Sequence, residues 1–207
     1  MAGSDPEHRY PKRRIYDEER AQQYAGRSPD RHRAEVALLR RILAGIPTGE
    51  TLDIPCGTGR LGPVLADLGC RVTRADLSPP MLHLAGGGVG ADAAHLPFRD
   101  RSFDLVVCHR FLHHLHPEEM EPVLAELARV AGRHLVFTFF HPVSLHGLTR
   151  RIRCLLQGRH SGRFSHRPGR LESILRPRGL EPLRYAAQKP YLRELWLALF
   201  GRRPGAG

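Results

Sequence analysis

The chain has 207 residues, of which 41% are hydrophobic, enough for one domain with a core and too few for two. No apolar run approaches the roughly 18 residues that a membrane span needs, and the first twenty residues are too charged for a signal peptide. The four cysteines lie far apart without CxxC spacing, which argues against a disulfide framework and a zinc site and fits a reduced compartment. We therefore expect a single cytoplasmic domain with no membrane span, present as a monomer or a homodimer.

The net charge of +11 comes entirely from the C-terminal third of the chain. Residues 1–140 contain eighteen basic and eighteen acidic residues, whereas residues 141–207 contain fourteen basic and three acidic ones. A field of this sign attracts phosphorylated small molecules, RNA or an acidic membrane surface. Because nearly all the basic residues are arginine, genome composition is an alternative cause, and the segment is then simply a solvated basic surface.

The first predicted elements are a helix, a strand, a glycine-rich turn and a second helix. Residues 30–43 repeat apolar residues at helical spacing, with Asp30 as a candidate N-cap. Residues 51–54 have the pattern of a short buried strand, and the helix after the turn ends at Gly69. These segments form one β-turn-α unit.

The remaining pattern alternates strands and helices. Strands are predicted at 71–75, 89–93, 103–108 and 135–140, and helices at 79–85 and 118–130. An apolar helical stripe follows, opposite arginines, and then two closing strands at 183–187 and 192–200, the last antiparallel; the stripe contains Leu145, Leu148, Ile152, Leu155 and Leu156, and the arginines are Arg150, Arg151 and Arg153. This order predicts an α/β fold, with a Rossmann-like, doubly wound, mostly parallel seven-stranded sheet and helices on both faces.

A glycine motif follows the first strand, at the edge where open α/β sheets bind ligands. Gly57, Gly59 and Gly62 match G-x-G-x-x-G, which lets a ligand approach the backbone and the positive end of a helix. Asp53, four residues earlier, disfavours the pyrophosphate of a nicotinamide cofactor and favours a ligand that carries an ammonium group, such as methionine. Asp76 at the end of the second strand is placed to accept hydrogen bonds from both hydroxyls of a ribose.

Three further segments complete an ordered set of motifs, at 90–98, 102–107 and 111–115. From residue 51 to residue 140 the chain resembles class I S-adenosylmethionine-dependent methyltransferases of the ubiquinone/menaquinone-biosynthesis type. The resemblance implies S-adenosylmethionine as the cofactor. It implies these roles: Asp53, Gly57, Thr58 and Gly59 at the methionine end, Asp76 at the ribose, Leu77 beside the adenine, Asp92 at the adenine amino group, the Ala93 N–H at the ring, and His109 below the methionine end.

One residue departs from that family pattern. Pro55 stands where the family usually has glycine. Because the fixed φ of proline is acceptable wherever a negative φ is required, we expect a stiffened loop that still binds the cofactor, and we include Pro55 among the cofactor-binding residues.

The resemblance also suggests how the chain is divided. Residues 1–29 correspond to an N-terminal lid, with Tyr16 and Tyr24 as substrate-facing aromatics, although two tyrosines at this spacing also occur in ordinary packing. Residues 30–140 form the cofactor-binding core. Residues 141–207 form a basic substrate-side segment together with the closing strands.

Methyl transfer from a sulfonium is an in-line displacement, so positioning of the acceptor is the main requirement and a base is optional. The candidate bases are His113 and His141, with Arg110 facing the acceptor; one of the paired histidines at 113 and 114 is equally well a structural hydrogen-bonding group. Asp92 has a plain alternative role as a turn residue. The histidines lack acidic or cysteine companions, so we expect no metal, and Cys56 and Cys108 are expected to pack and not to react.

We expect methyl transfer to a small molecule, either hydrophobic or anionic. One alternative is a methyltransferase for tRNA or another nucleic acid, suggested by the C-terminal arginines, although few aromatic residues interleave them. The other alternative is a non-catalytic cofactor-binding or regulatory module.

Overall fold

The computed structural model describes residues 29–158 and 162–203. Tyr16, Tyr24 and most of the expected lid lie outside these ranges. The elements follow the predicted alternation of strands and helices, with short 3₁₀ turns at Leu112–His114 and Arg176–Arg178. The helices are α1 (Pro29–Leu43), α2 (Gly62–Asp67), α3 (Pro79–Leu84), α4 (Pro117–Val130), α5 (Leu145–Leu156) and α6 (Pro168–Leu175), and the strands are β1 (Glu50–Asp53), β2 (Arg71–Asp76), β3 (Val89–Gly90), β4 (Phe103–Cys108), β5 (Ala131–Phe140), β6 (Leu180–Ala187) and β7 (Leu195–Arg202).

The strands form one seven-stranded sheet in the order β3-β2-β1-β4-β5-β7-β6. Neighbours from β3 to β5 pair in parallel, and β7 is antiparallel to both of its neighbours, β5 and β6. This arrangement confirms the predicted fold class. In the register, Asp53 lies opposite Arg74 on one side and Val107 on the other, so the carboxyl ends of β1, β2 and β4 meet at one edge.

Hydrophobic layers cover both faces of the sheet. Alternate residues of β4 point to opposite sides, since Val106 belongs to one buried cluster and Leu105 and Val107 to the other. The first cluster includes the apolar faces of α4 and α6, and the second includes those of α1 and α2. Continuous burial of the central strands explains why they contain few polar residues and have the pattern typical of parallel sheets.

Several element boundaries differ from the predicted ones, and strand β3 ends at Gly90, three residues before its predicted end. Helix α1 begins at Pro29, so Asp30 lies in its first turn and not at the N-cap. Strand β5 begins at Ala131, directly after α4, where Gly132 runs so close to strand β4 that an added Cβ would lie 2.9 Å from the Arg101 carbonyl oxygen. The closing strands begin about three residues away from their predicted starts, at Leu180 and Leu195.

Helix α5 directs its apolar stripe away from the rest of the described protein. The exposed fraction of the five stripe residues ranges from 49% for Ile152 to 82% for Leu155 and Leu156. The only buried residue of the helix is Gly147. None of the helices in the described ranges has the length and apolarity needed to cross a bilayer.

Candidate functional site

Asp53, the last residue of β1, is a buried carboxyl group with no ion pair to any described residue. It is 1% exposed, and no donor among the described residues forms a hydrogen bond with either oxygen. Burial raises the pKa of Asp53 to about 7; the Asp76 carboxylate adds to this increase and Arg74 opposes it. An unpartnered buried carboxylate is costly, and a ligand that brings a cationic donor would remove that cost.

The turn after β1 has the backbone geometry of a ligand-binding loop. Gly57 and Gly59 have φ values of +55° and +73°, in the left-handed region that favours glycine. At Gly59 an added Cβ would also lie 3.1 Å from the Cα of Ala85. Both the positive φ and the lack of space therefore favour glycine at this position. The Thr58 hydroxyl is buried without a hydrogen-bond partner in the described part of the chain, and the Ile54–Pro55 peptide is cis. The loop thus leaves polar atoms available beside Asp53.

Asp76 at the end of β2 fastens this loop to the neighbouring strand. Its Oδ2 accepts a hydrogen bond from the Gly57 N–H at 2.8 Å, and its Oδ1 accepts one from the Ser78 N–H at 2.9 Å. Burial raises the pKa of Asp76, while the N–H groups of Ser78, Gly57 and Leu77 oppose the increase. Each carboxylate oxygen has two lone pairs, so acceptor capacity for the two hydroxyls of a ribose remains.

The segment after β3 returns to the same edge. The Ala91 N–H donates to the Asp76 carbonyl oxygen at 3.0 Å, which brings Asp92 and Ala93 next to the end of β2. One oxygen of Asp92 accepts from the Ala94 N–H at 2.9 Å, so Asp92 does serve as a turn residue. The turn role and a contact with an adenine amino group are compatible because the carboxylate has a second oxygen. Leu77, half-buried, lies one residue beyond Asp76.

At the end of β4, His109 belongs to a charged cluster that includes a residue of α1. Its Nε2 lies 3.7 Å from the Glu35 carboxylate, and Glu35 also pairs with the Arg110 guanidinium at 2.6 Å. Burial, together with the positive charges of Arg110, His32 and Arg60, lowers the pKa of His109 to about 3. His109 is therefore a neutral imidazole at physiological pH, able to offer a lone pair or an N–H but not a charge.

Arg110 is held in an unusual backbone conformation. Its φ is +57°, a region that residues with a Cβ rarely adopt, and its N–H donates to the Thr138 hydroxyl of β5. The Glu35 ion pair fixes the other end of the side chain. Such backbone conformations cluster at functional sites, where the surrounding contacts maintain them. Glu35 and Thr138 were not predicted as site residues. In the sequence, Glu35 looks like any exposed residue of α1, and Thr138 looks like any residue of strand β5.

The two candidate bases lie at the ends of adjacent strands, in different surroundings. The His113 ring is 1% exposed and stacks on Phe140, with centroids 4.1 Å apart and an interplanar angle of 6°. His141 follows Phe140 directly and stacks on Trp196 at 4.8 Å, with Tyr191 edge-on at 5.9 Å. His113 with Phe140 and His141 with Trp196 thus form two ring pairs at the carboxyl ends of β4 and β5, which we together call the aromatic wall.

The basic segment after α5 is attached to this wall through the backbone. The Phe164 N–H donates to the His113 carbonyl oxygen at 2.9 Å, and the His166 N–H donates to the Phe140 carbonyl oxygen at 2.8 Å. The His166 ring is buried, with its Nε2 3.1 Å from the Leu112 carbonyl oxygen, and burial lowers its pKa. The segment therefore lies at the same edge as the candidate bases, where an acceptor would enter.

The thiols near the site are protected from reaction. Burial raises the pKa of Cys56 to about 12, and the Asp53 and Asp76 carboxylates add to the increase. Cys108 is fully buried, and its pKa is raised for the same first reason. Thiols in this state are not nucleophiles. Within residues 29–158 and 162–203, no three His, Cys, Asp or Glu side chains are grouped so that they could hold a metal ion.

Comparison with known proteins identifies the family. A family model described as a methyltransferase domain matches residues 52–135. The ubiquinone biosynthesis O-methyltransferase of Xanthomonas euvesicatoria pv. vesicatoria is 30% identical over 166 residues, which cover 72% of this chain and 68% of that protein. The demethylmenaquinone methyltransferase of Thermobifida fusca is 36% identical over 104 residues, 44% of this chain, but the match spans only 43% of that protein.

A solved structure has the same fold at lower identity. The magnesium protoporphyrin IX methyltransferase from Synechocystis PCC 6803, with bound SAH, superimposes with a TM-score of 0.69 at 23% identity and covers 84% of this chain and 83% of its own. The order of the seven-stranded sheet agrees with this shared fold. The chain belongs to the class I S-adenosylmethionine-dependent methyltransferase family.

Proposed function

We propose that the protein transfers a methyl group from S-adenosylmethionine to a small planar acceptor. The observation that carries the proposal is the buried Asp53 carboxylate, which has no partner among the described residues and lies beside a glycine turn and the Asp76 carboxylate. A pair of buried carboxylates at this edge suits a ligand with an ammonium group and vicinal hydroxyls. An amino acid joined to a nucleoside has both.

Each cofactor-binding residue has a separate task. Asp53 holds the ammonium group, and the turn formed by Pro55, Gly57, Thr58 and Gly59 surrounds the methionine end. Asp76 holds the ribose, while Leu77, Asp92 and Ala93 hold the adenine. His109 contributes a neutral imidazole below the methionine end, so it adds no positive charge next to a sulfonium. When bound, S-adenosylmethionine supplies an electrophilic methyl group.

The aromatic wall defines the acceptor side. His113, Phe140, His141 and Trp196 offer flat stacking surfaces, with Arg110 nearby at the end of β4. His141 or His113 would accept the proton that an acceptor oxygen or carbon loses when it takes the methyl group from the bound cofactor, which would leave as S-adenosylhomocysteine. Relatives are named for demethylmenaquinone methylation and for ubiquinone biosynthesis, and quinones are ring compounds, which supports a hydrophobic aromatic substrate here.

Binding and label transfer test the proposal in two steps. Calorimetry with S-adenosylhomocysteine should give a dissociation constant in the micromolar range or tighter, and Asp76→Ala should abolish it. Labelled S-adenosylmethionine is then incubated with dihydroxynaphthalenes, with catechols and with bulk tRNA. Label in a ring compound supports the proposal, and label in tRNA favours the nucleic-acid alternative. Cofactor binding without label in any of these acceptors, or in any fraction of a host extract added as a further acceptor, favours the non-catalytic alternative. Absence of S-adenosylhomocysteine binding would overturn all three.

A further inference from the structure

Helix α5 is amphipathic, but its apolar face points to solvent and its polar face points to the protein, the reverse of an ordinary surface helix. Its inward face carries Gly147 and Arg150, and the Arg150 guanidinium lies 2.9 Å from the Glu194 carboxylate, whose side chain is only 4% exposed. His146 lies 3.3 Å from the other oxygen of Glu194. A charged contact therefore attaches the helix to the protein, and this contact turns the apolar stripe outward.

The outward stripe is continuous and bordered by positive charge. At 100° per residue, Leu145, Leu148, Ile152, Leu155 and Leu156 occupy one narrow arc of the helix. Arg151 and Arg153 lie on either side of this arc, and both are exposed. No ion pair involves either of them in the part of the chain that the structure describes. This arrangement of an apolar centre between arginines is typical of helices that lie in a membrane interface.

The charge around the helix points to the same partner. Residues 141–178 contain nine arginines and a single acidic residue, Glu172. Val143, two residues before the helix, is a further exposed apolar side chain, at 63%. A protein partner or a second copy would need to match the stripe in shape, whereas an anionic bilayer needs only apolar depth between its phosphates.

We propose that α5 docks the protein on an anionic lipid surface, with the leucine stripe in the acyl boundary and Arg151 and Arg153 on the phosphates. The inference is independent of methyl transfer, since docking requires neither cofactor nor acceptor. It also places the aromatic wall, which is joined to α5 through Ser144 and His141, close to the lipid.

The first test is co-sedimentation of the full chain with vesicles of equal parts phosphatidylglycerol and phosphatidylcholine, and with vesicles of phosphatidylcholine alone. We expect binding to the anionic vesicles that weakens as salt is added. Ile152→Ser/Leu155→Ser and Arg151→Glu/Arg153→Glu should each lower the partition coefficient about tenfold or more. The controls, Val89→Ser/Leu183→Ser and Arg99→Glu/Arg133→Glu, alter exposed residues elsewhere on the protein and should bind normally.

A variant that gains a signal on binding distinguishes loss of docking from loss of folding. The chain has one tryptophan, Trp196, so Leu155→Trp adds a reporter on the stripe. Its emission should shift to the blue when anionic vesicles are added, whereas that of Leu183→Trp should not. Emission that is already blue-shifted without vesicles would mean that another part of the protein or a second copy covers the stripe. That result would overturn the proposal. So would unchanged vesicle binding by the Ile152→Ser/Leu155→Ser variant, or binding of the protein to bulk tRNA but not to vesicles.

S-adenosylhomocysteine calorimetry on the same α5 variants keeps the two proposals separate. Normal cofactor affinity with lost vesicle binding supports docking through α5. Normal vesicle binding with no cofactor affinity in the unmodified protein would instead refute the proposed function and leave docking intact.

Discussion

Over β1 and β2 the carboxyl edge of the sheet presents two buried carboxylates, whereas over β4 and β5 it presents stacked aromatic and imidazole rings. The first region is held by backbone contacts, such as the bond between the Gly57 N–H and Asp76. The second is built from side chains that touch one another. Under the proposed function, the first region would bind one fixed ligand, and the second would be the part that changes with the acceptor.

The substitution Asp53→Asn tests the carboxylate region and should have the largest effect. Removing the charge that receives the ligand's ammonium group should weaken S-adenosylhomocysteine binding about several hundredfold. Methylthioadenosine, which lacks the amino-acid end, should bind as before, and calorimetry measures both. Asp67→Asn alters an exposed aspartate on α2 and serves as the control. Equal losses for the two ligands would show that Asp53 does not contact the amino-acid end.

Substitutions in the aromatic region should affect turnover alone. His113→Ala and His141→Ala are each expected to lower kcat about a hundredfold, because a positioned base contributes roughly 10²–10⁴-fold. Affinity for S-adenosylhomocysteine should stay within about twofold of the unmodified protein, and His83→Ala, on the exposed side of α3, is the control. Unchanged turnover in both variants would contradict the assignment of a base to this wall.

Asp76→Asn distinguishes the nucleoside end from the amino-acid end. The amide keeps the size of the side chain, but its NH2 group cannot accept a hydrogen bond and its oxygen accepts only neutral ones, so affinity should fall about 30-fold or more. Because both ligands contain the ribose, the loss should be the same for S-adenosylhomocysteine and for methylthioadenosine in parallel titrations. A loss confined to S-adenosylhomocysteine would place Asp76 at the wrong end of the ligand.

The smallest effect is a pH dependence that only the carboxylate region should show. Burial raises the pKa of Asp53 from its ordinary 3.8 to about 7. The free protein therefore loses stability as pH rises from about 4 to about 7 and changes no further above that range. A ligand cation requires the ionised form, so the association constant for S-adenosylhomocysteine should be about tenfold higher at pH 8 than at pH 6.

The matched variant makes the pH prediction specific to Asp53. Asp53→Asn should remove the pH dependence of binding and should raise the unfolding temperature of the free protein at pH 8, since residue 53 then carries no buried charge. Calorimetry in buffers of different ionisation enthalpy measures the proton released on binding. A full pH dependence retained by the asparagine variant would assign the titration to another group.

The sequence predicted the sheet well because central parallel strands must be apolar on both faces. It placed the start of β5 too late, since Gly132, Arg133 and His134 do not resemble strand residues and their pairing with β4 depends on tertiary contact. It could identify Asp53 and Asp76 because backbone geometry fixes where a strand-end carboxylate lies relative to a glycine turn.

The acceptor side was less accessible to prediction, for a physical reason. Glu35 reaches Arg110 from a helix 75 residues away, and Trp196 reaches His141 from the last strand. Such contacts depend on how separate elements pack, which no local spacing encodes. The orientation of α5 also depends on packing. The sequence shows its apolar stripe, but the contacts of Arg150 and His146 with Glu194 determine which way the stripe faces.

The attachment of residues 164–166 to the strand ends relies on main-chain carbonyl groups of Leu112, His113 and Phe140. A carbonyl oxygen is identical at every residue, so this junction survives changes in nearly all the side chains around it. Divergence of the segment between α5 and α6 can therefore alter which molecule is recognised while the segment remains in register with the reacting edge, and exchange of that segment between relatives is a practical route to new acceptor specificity.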